Sequence, residues 1–416
     1  MRNTACATLL VLLLVPVLAT AQTAGELLTR AHQETEKLRD PAQRALALAD
    51  IAQVEKSLND GNWTKTLTSA TENVEEVEDP VAKALTYRGL AVRAWKLNPE
   101  LARDLLNKSL KGARELPYAA QHSLALREIG RSVISLDDSA AVTALAEAAA
   151  AAEKIDSPLF RSAGLRDLAV AWQPLDPAQA EKLFAQAAAA LASVQPAEEP
   201  VQLARIELIA AWSLGNLTSA LTEAAAIPDD RLRELCYRRM VEALAPVDPD
   251  AAMQVAGKLR DQGERALAMA ALAAALAPAQ PETAVGMARA ALEMGEALPP
   301  ESLARLQASA AVAIAGADLK SGLQLAGQIQ DEELAARALA QIAIARAATN
   351  PAQAASIAAD IEDWTVRENC QSQIVPLLAA NDVPAALKLV DDLLSRREKV
   401  YALLQVITAM PRPASE

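Results

Sequence analysis

The chain has 416 residues, of which 52% are hydrophobic and only 3% aromatic, and its formal net charge at pH 7 is −13. Nucleic-acid binding is driven largely by Lys and Arg side chains that neutralise phosphates, so this acidic balance argues against a nucleic-acid partner. The charge is typical of a protein that stays soluble while exposing a large surface.

The first 21 residues predict a secretory signal peptide. Arg2 provides the positive end, Leu9 to Leu18 form the apolar stretch, and Ala19-Thr20-Ala21 is a small-x-small cleavage site. The stretch is too short for a membrane-spanning helix, which needs roughly 20 apolar residues. Cys6 precedes the stretch, so it cannot carry the lipid of a bacterial lipoprotein. We expect a periplasmic or secreted bacterial protein, cleaved after Ala21, without stable membrane insertion afterwards.

After a short helix predicted at about residues 24–38, a repeated pattern begins. In the first half, a basic residue recurs every 39 residues, at Arg44, Lys83, His122 and Arg161. After a less regular unit near residue 200, it returns at mostly shorter intervals, at Arg233, Arg265, Arg337, Arg367 and Lys399. Self-similarity at a period of about 30–40 residues predicts a solenoid, in which each unit buries its apolar face against its neighbours.

Each unit predicts two helices. Seven positions after the basic residue stands an aliphatic residue, and a small residue usually follows it: Ile51, Leu90, Ile129, Leu168, Met240, Leu272, Ile344, Ile374 and Val406 occupy the aliphatic position. Further apolar residues at offsets 4, 8 and 11 complete one face of a helix and exclude a strand. The second helix begins at a capping residue followed by proline, as in Asn98-Pro99, Asp176-Pro177, Asp248-Pro249 and Asn350-Pro351.

The predicted fold is therefore all-α: an α-solenoid of about ten to eleven antiparallel helical hairpins. Residues 1–21 are the signal peptide, 22–40 hold the first helix, 41–410 form one continuous solenoid, and 411–416 are a disordered tail. Units are 39 residues long up to about residue 199 and mostly shorter after 200, which predicts longer second helices or loops in the first half and a change of curvature near Pro196 to Pro200.

The recurring basic residues have a structural explanation. Four positions upstream stand acidic or hydroxyl residues, which we expect to cap the helix or to lie in its first turn: Asp40, Asp79, Ser157, Asp229, Asp261, Glu333, Asp363 and Ser395. The basic residue would then form an i, i+4 pair with the upstream acid. This pairing is favoured over a ligand site.

The two-helix pattern resembles the tetratricopeptide repeat, whose first helix carries W-x2-L-G-x2-Y and whose second carries A-x3-F-x2-A. The best match is Leu165, Leu168, Ala169 and Trp172, followed by Ala180, Phe184 and Ala187. The resemblance covers roughly residues 41–410. The family's glycine is usually alanine here, most aromatic positions are aliphatic, and the spacing varies. Sel1-like units and HEAT-like arrays share such apolar stripes.

The resemblance implies a superhelix in which the first helices line the concave face. Offsets 5 and 9 would then point into the groove, where this chain has Arg88, Arg127, Arg131, Arg166 and Arg238. Related repeats clamp peptide carboxylates with basic residues at such positions, so an acidic or C-terminal peptide is the implied ligand. The alternative is that these arginines pair with acids such as Glu128 and Asp167 in adjacent units.

The sequence predicts no catalytic, cofactor-binding or metal-binding residues. Its two histidines, His32 and His122, cannot form a metal site by themselves, and phosphate-loop, nucleophile-elbow and zinc-protease motifs are missing. After cleavage, Cys236 and Cys370 lie four units apart, too far for an internal disulfide, whose Cα atoms lie within about 7 Å.

These observations predict an exported, non-catalytic scaffold that binds an unidentified protein or peptide on the concave face. A self-associating structural component of the cell envelope is the alternative. An enzyme, such as a sugar-processing helical barrel, ranks third because such enzymes stack sugars on aromatic rings, which are scarce in this chain.

Overall fold

The computed structural model describes residues 23–194 and 198–410, which contain 22 α-helices and no strand. The predicted signal peptide, the tail 411–416 and Pro196 lie outside the described residues. None of the helices in the described ranges has the length and apolar character needed to cross a membrane.

The helices alternate between two layers. The odd-numbered helices are α1 (Ala24–Glu36), α3 (Trp63–Glu75), α5 (Pro99–Arg114), α7 (Asp138–Ala152), α9 (Pro177–Ala192), α11 (Leu217–Ala225), α13 (Pro249–Ala256), α15 (Pro281–Met294), α17 (Leu319–Ala326), α19 (Pro351–Ala359) and α21 (Val383–Asp392). The even-numbered helices are α2 (Pro41–Ser57), α4 (Pro80–Ala94), α6 (Ala119–Val133), α8 (Pro158–Trp172), α10 (Glu199–Ser213), α12 (Asp230–Leu244), α14 (Gln262–Leu276), α16 (Pro300–Ala315), α18 (Glu332–Ala347), α20 (Trp364–Ala379) and α22 (Arg396–Ala409). This architecture confirms the predicted all-α solenoid of stacked hairpins.

Even-numbered helices pack on one another in succession, whereas odd-numbered helices pack mainly on even-numbered ones. In a curved two-layer array, the helices of the inner layer lie closer to one another because that layer has the shorter circumference. The even-numbered helices therefore form the inner layer. The small residue of the repeat lies where the two helices of a hairpin meet. At Gly130, a Cβ atom would come within 2.7 Å of Leu145 Cγ on the neighbouring α7. Only a very small residue permits that approach.

The two ends of the solenoid meet. The last inner helix, α22, packs on the first, α2, and α1 packs on α22 from the outside. Leu27 and Ala31 of α1 are fully buried in one apolar cluster with Leu403 and Ile407 of α22. Helix α1 is therefore the outer partner of the last inner helix, and the solenoid is a closed ring. The tetratricopeptide resemblance instead implied a superhelix, whose ends stay apart.

Ion pairs flank this closing contact. Arg30 of α1 bonds to Asp391 at the end of α21, and Arg396 Nη1 of α22 lies 3.6 Å from Glu34 Oε2 of α1. Eleven inner helices spaced about 8–10 Å apart make a ring of helix axes about 30–35 Å across, which leaves a central opening of about 20 Å once side chains are counted.

The predicted helix caps are present. Asp40, Asp79, Ser157, Asp229, Asp261, Asp363 and Ser395 each accept a hydrogen bond from a backbone N–H in the first turn. In the unit of Arg337 the cap is Asp331, two residues before Glu333, which lies in the first turn. The helix thus begins two residues earlier than the pattern predicts, and the buried aliphatic position shifts by the same two residues. Ile342 is buried, whereas Ile344, the predicted residue, is only half-buried.

The recurring basic residues mostly make other contacts than the predicted i, i+4 pairs. The expected i, i+4 pair forms between Arg337 and Glu333. Several others instead donate to backbone carbonyls at the end of the preceding helix or just after it: Lys83 to Glu75, Arg233 to Ile227, Arg367 to Ile361 and Lys399 to Asp391. The last carbonyls of a helix have no partner within the helix and carry partial negative charge, so a basic side chain stabilises them.

The outer helices explain the unequal unit lengths. Helices α3, α5, α7 and α9 have 13–16 residues, whereas α11, α13, α17 and α19 have only eight or nine. Cys236 and Cys370 are buried and unpaired, as predicted, and burial raises the pKa of each thiol to about 12.

The closing contact gives a testable prediction. Replacing Leu27 by Ala removes a fully buried side chain from the α1–α22 contact and should lower the free energy of unfolding by about 2–5 kcal/mol. Leu272→Ala, inside the array, should cost a similar amount, and Leu58→Ala, at an exposed position, less than about 0.5 kcal/mol. Urea denaturation measures all three. Faster amide exchange in α22 of Leu27→Ala than in α22 of Leu272→Ala would locate the damage; equal rates would contradict the closing role of α1.

Candidate functional site

Four of the five arginines predicted for the groove lie on three successive inner helices. Arg88 belongs to α4, Arg127 and Arg131 to α6, and Arg166 to α8. We call these four residues the arginine cluster. The repeat gives Arg88, Arg127 and Arg166 a common height, because each is at offset 5 of its unit, and Arg131 lies one helical turn further along α6.

Two carboxylates lie within the arginine cluster. Arg127 Nη1 donates to Asp167 Oδ2 on α8, the next inner helix, at 2.5 Å, and Arg127 Nη2 donates to Glu128 Oε1 at 3.0 Å. Arg166 Nη2 donates to Asp167 Oδ1 at 2.8 Å, and Arg88 Nη1 lies 3.5 Å from Glu128 Oε2. The structure therefore contains the pairing between adjacent units that the sequence offered as the alternative to ligand binding.

The arginine cluster keeps a net positive charge, because its four arginines share only two carboxylates, those of Glu128 and Asp167. Arg131 is the least engaged: its Nη1 is 3.8 Å from Glu128 Oε1, and 53% of its side chain is exposed. Burial lowers the pKa of the Arg88 guanidinium, and Glu128 opposes that effect. Arginine nevertheless keeps its charge in proteins, so the cluster is cationic at every physiological pH.

The inner helices as a whole also carry more positive than negative charge. The eleven inner helices carry 22 Arg and Lys residues against 15 Asp and Glu, whereas the outer helices carry 10 against 16. In a chain with a formal charge of −13, the inner helices thus have a net positive charge. A concave surface of one sign attracts ligands of the other and raises their association rate.

Arg238, the fifth predicted residue, lies apart from the cluster on α12. Only 7% of its side chain is exposed, and it bonds to Glu242 of its own helix and to Glu264 of α14. Burial and both carboxylates act on its pKa in opposite directions, and the net shift is upward. Arg238 therefore links two inner helices and is not available to a ligand.

Sequence analysis missed an ion pair between the inner helices α2 and α4. Arg93 of α4 donates through Nε and Nη2 to both oxygens of Asp50 on α2, at 2.7 and 3.1 Å. The exposed ring of Tyr401 on α22 lines the same small cavity as Asp50 and Arg93. Arg93 and Asp50 are 43 residues apart, close to the length of one repeat, so the repeat pattern could have predicted this pair. The position of Tyr401 beside the pair depends on the closed ring and could not have been predicted in this way.

An apolar cavity of about 590 Å³ lies between α9, α10, α11 and α12. Leu191, Ile206 and Leu232 line it, and the ion pair between Arg205 and Glu223, at 3.1 Å, stands at its wall. Within residues 23–194 and 198–410, no group of His, Cys, Asp and Glu side chains could hold a metal ion.

No family model and no curated protein matches this sequence. Among solved structures, the chain is similar to Ton1535 from Thermococcus onnurineus NA1, at 13% sequence identity and a TM-score of 0.35. That similarity covers 86% of this chain and 98% of the other. It assigns neither a family nor a function.

The different surroundings of Arg238 and Arg131 give a prediction. Arg238→Met leaves two glutamates facing each other at a buried position and should cost about 3–5 kcal/mol of unfolding free energy. Arg131→Met removes an exposed side chain and should change it by less than about 0.5 kcal/mol. Thermal or urea unfolding measures both. Equal costs for the two variants would mean that Arg238 is not the link between α12 and α14.

Proposed function

We propose that this protein is an exported, non-catalytic scaffold, built from tetratricopeptide-like repeats, that holds an acidic protein or peptide segment against its inner wall. The signal peptide predicted from residues 1–21 supports a periplasmic or secreted location. The arginine cluster is the observation that carries the proposal, because it concentrates positive charge on the inner helices of an acidic protein.

The geometry suits such a ligand. A helix with its side chains is about 10–12 Å wide, so a central opening of about 20 Å admits one helix or an extended segment. Arginine presents several donors in a planar fork that matches a carboxylate, so the arginines can exchange a partner within the cluster for one on the ligand. Each exposed pair contributes little alone, and several acting together provide both attraction and orientation.

Site-specific crosslinking in the native compartment tests the proposal. Leu124 on α6 and Val142 on α7 belong to one hairpin and are almost equally exposed, at 41% and 40%, on its inner and outer helix. A photoreactive amino acid at Leu124 should capture a partner with an acidic segment, whereas the same group at Val142 should not.

Charge reversal supplies the control. Arg131→Glu should reduce the capture at position 124 by about tenfold, the effect of about 1.4 kcal/mol in binding. Arg337→Glu, an exposed arginine on a distant inner helix, should leave it unchanged. Capture that is equal at both crosslinking positions, or that survives Arg131→Glu, would sink the proposal.

Self-association is the second candidate, and exposed apolar side chains on one rim favour it. Tyr118 precedes α6 and Phe160 lies in the first turn of α8, so both stand where neighbouring inner helices begin. Both side chains are about two-thirds exposed. Apolar groups clustered at a surface often mark an interface.

If this rim joins copies of the chain, the wild-type protein should be larger than one chain in light scattering after size exclusion. The double variant Tyr118→Asp, Phe160→Asp should then elute as a single chain, because two buried charges oppose the contact. A wild-type protein that is already a single chain at high concentration would exclude this candidate.

A further inference from the structure

The apolar cavity of about 590 Å³ between α9, α10, α11 and α12 lies where the repeat changes length. Outer helix α9 has 16 residues, whereas α11, the next outer helix, has nine. Each begins shortly after the preceding inner helix ends, so α9 extends about 10 Å beyond α11. The last turns of α9 therefore have no outer neighbour on this side, and a space remains between them and the starts of α10 and α12.

Apolar side chains form most of the wall of this cavity: Ala188, Leu191, Val201, Ile206, Ile227 and Leu232. Ala189 and Pro228, which also line it, are exposed, so the cavity is open to solvent and a molecule can enter it. Its volume lies within the range of about 300–1,000 Å³ that is typical of sites for small molecules. Hydrocarbon that fills the cavity would remove apolar surface from water, which favours binding in proportion to the area covered.

Three charged side chains line the cavity, and each already has a partner in the protein. Arg205 Nη2 donates to Glu223 Oε2 at 3.1 Å, and Asp229 caps α12 by accepting a hydrogen bond from the Leu232 N–H at 3.0 Å. A bound carboxylate would be repelled by Glu223 and Asp229, and a bound ammonium group would be repelled by Arg205. An ion of either sign would also lose its water without gaining an unpaired counterion. The wall therefore favours an uncharged ligand.

The ion pair can still bind a neutral polar group. The side chains of Arg205 and Glu223 are 37% and 36% exposed, so a ligand in the cavity can reach them. Arginine has five N–H donors, and a carboxylate oxygen accepts more than one hydrogen bond. A hydroxyl group both donates and accepts, so it can bond to this pair without separating it.

We propose that this cavity binds an uncharged molecule with a hydrocarbon body and one hydroxyl group, of the class of straight-chain alcohols. The hydrocarbon lies among the apolar side chains of α9, α10 and α12, and the hydroxyl group bonds to Arg205 and Glu223. This site is separate from the arginine cluster, and it does not depend on the scaffold function proposed above.

An occupant of this cavity would contact two adjacent units of the ring. Helix α9 belongs to one unit, and α10 and α11 form the next hairpin. A ligand that covers the end of α9 and the start of α10 binds the packed units in preference to units that have separated. By mass action it should slow amide exchange at the end of α9.

Calorimetric titration of the purified full chain tests the proposal. Octan-1-ol should bind at one saturable site, and hexan-1-ol should bind about tenfold more weakly because it buries two methylene groups fewer. Octanoate and octylammonium have the same chain length as octan-1-ol and carry opposite charges. Each should bind about tenfold more weakly than octan-1-ol, or worse, because the wall repels both charges.

Two variants of α9 form a matched pair. Ala185 and Ala189 are both exposed and lie one helical turn apart, but only Ala189 lines the cavity. Ala189→Trp should weaken octan-1-ol binding about tenfold or more because the indole ring occupies the cavity, whereas Ala185→Trp should bind as the wild type does.

The comparison of ligands uses the wild-type chain, so its result does not depend on how the variants fold. Absence of saturable octan-1-ol binding would overturn the proposal. Binding of hexan-1-ol, octanoate or octylammonium as tight as that of octan-1-ol, or unchanged binding by Ala189→Trp, would overturn it as well. None of these outcomes bears on the arginine cluster, which the variants leave intact.

Discussion

The packing of α1 on α22 is the contact on which the ring depends. A helical hairpin buries one face on each neighbour, so a linear array leaves an apolar face bare at each end unless polar capping repeats cover it. Here the two ends cover each other. The unit that closes the ring takes its inner helix from the end of the chain and its outer helix from the beginning, so the terminal faces join one continuous apolar cluster.

The repeat also determines where charge lies. Small residues such as Gly130 allow close packing within a hairpin, and the caps and basic residues stabilise helix ends at the rims. The middle of each inner helix is left to face its neighbours and the central opening. There Arg127 and Arg166 both donate to Asp167. The same side chains thus bridge neighbouring units and give the inner layer its surplus positive charge.

Much of this could be predicted from the sequence. The apolar stripe found Leu168 and Ala169 in the core, and the offsets that follow the basic residues found the arginine cluster, because both depend only on the period of a helix. Closure could not be predicted, since it depends on small rotations summed over eleven units. The contact between His32 of α1 and Glu55 of α2 could not be predicted for the same reason, because nothing in the sequence indicated where α1 would pack.

The closed ring also sets an order of assembly. Arg30 and Asp391 are separated by 361 residues, although nearly all other contacts in the array join adjacent hairpins. Helix α1 is synthesised before the other described helices, yet its partner α22 is the last of them. Until α22 is made, Leu27 and Leu28 lack the apolar surface of α22 that covers them in the ring, and the contact between Arg30 and Asp391 closes a loop of 361 residues. The array can fold hairpin by hairpin, but the ring can close only after α22 has been made.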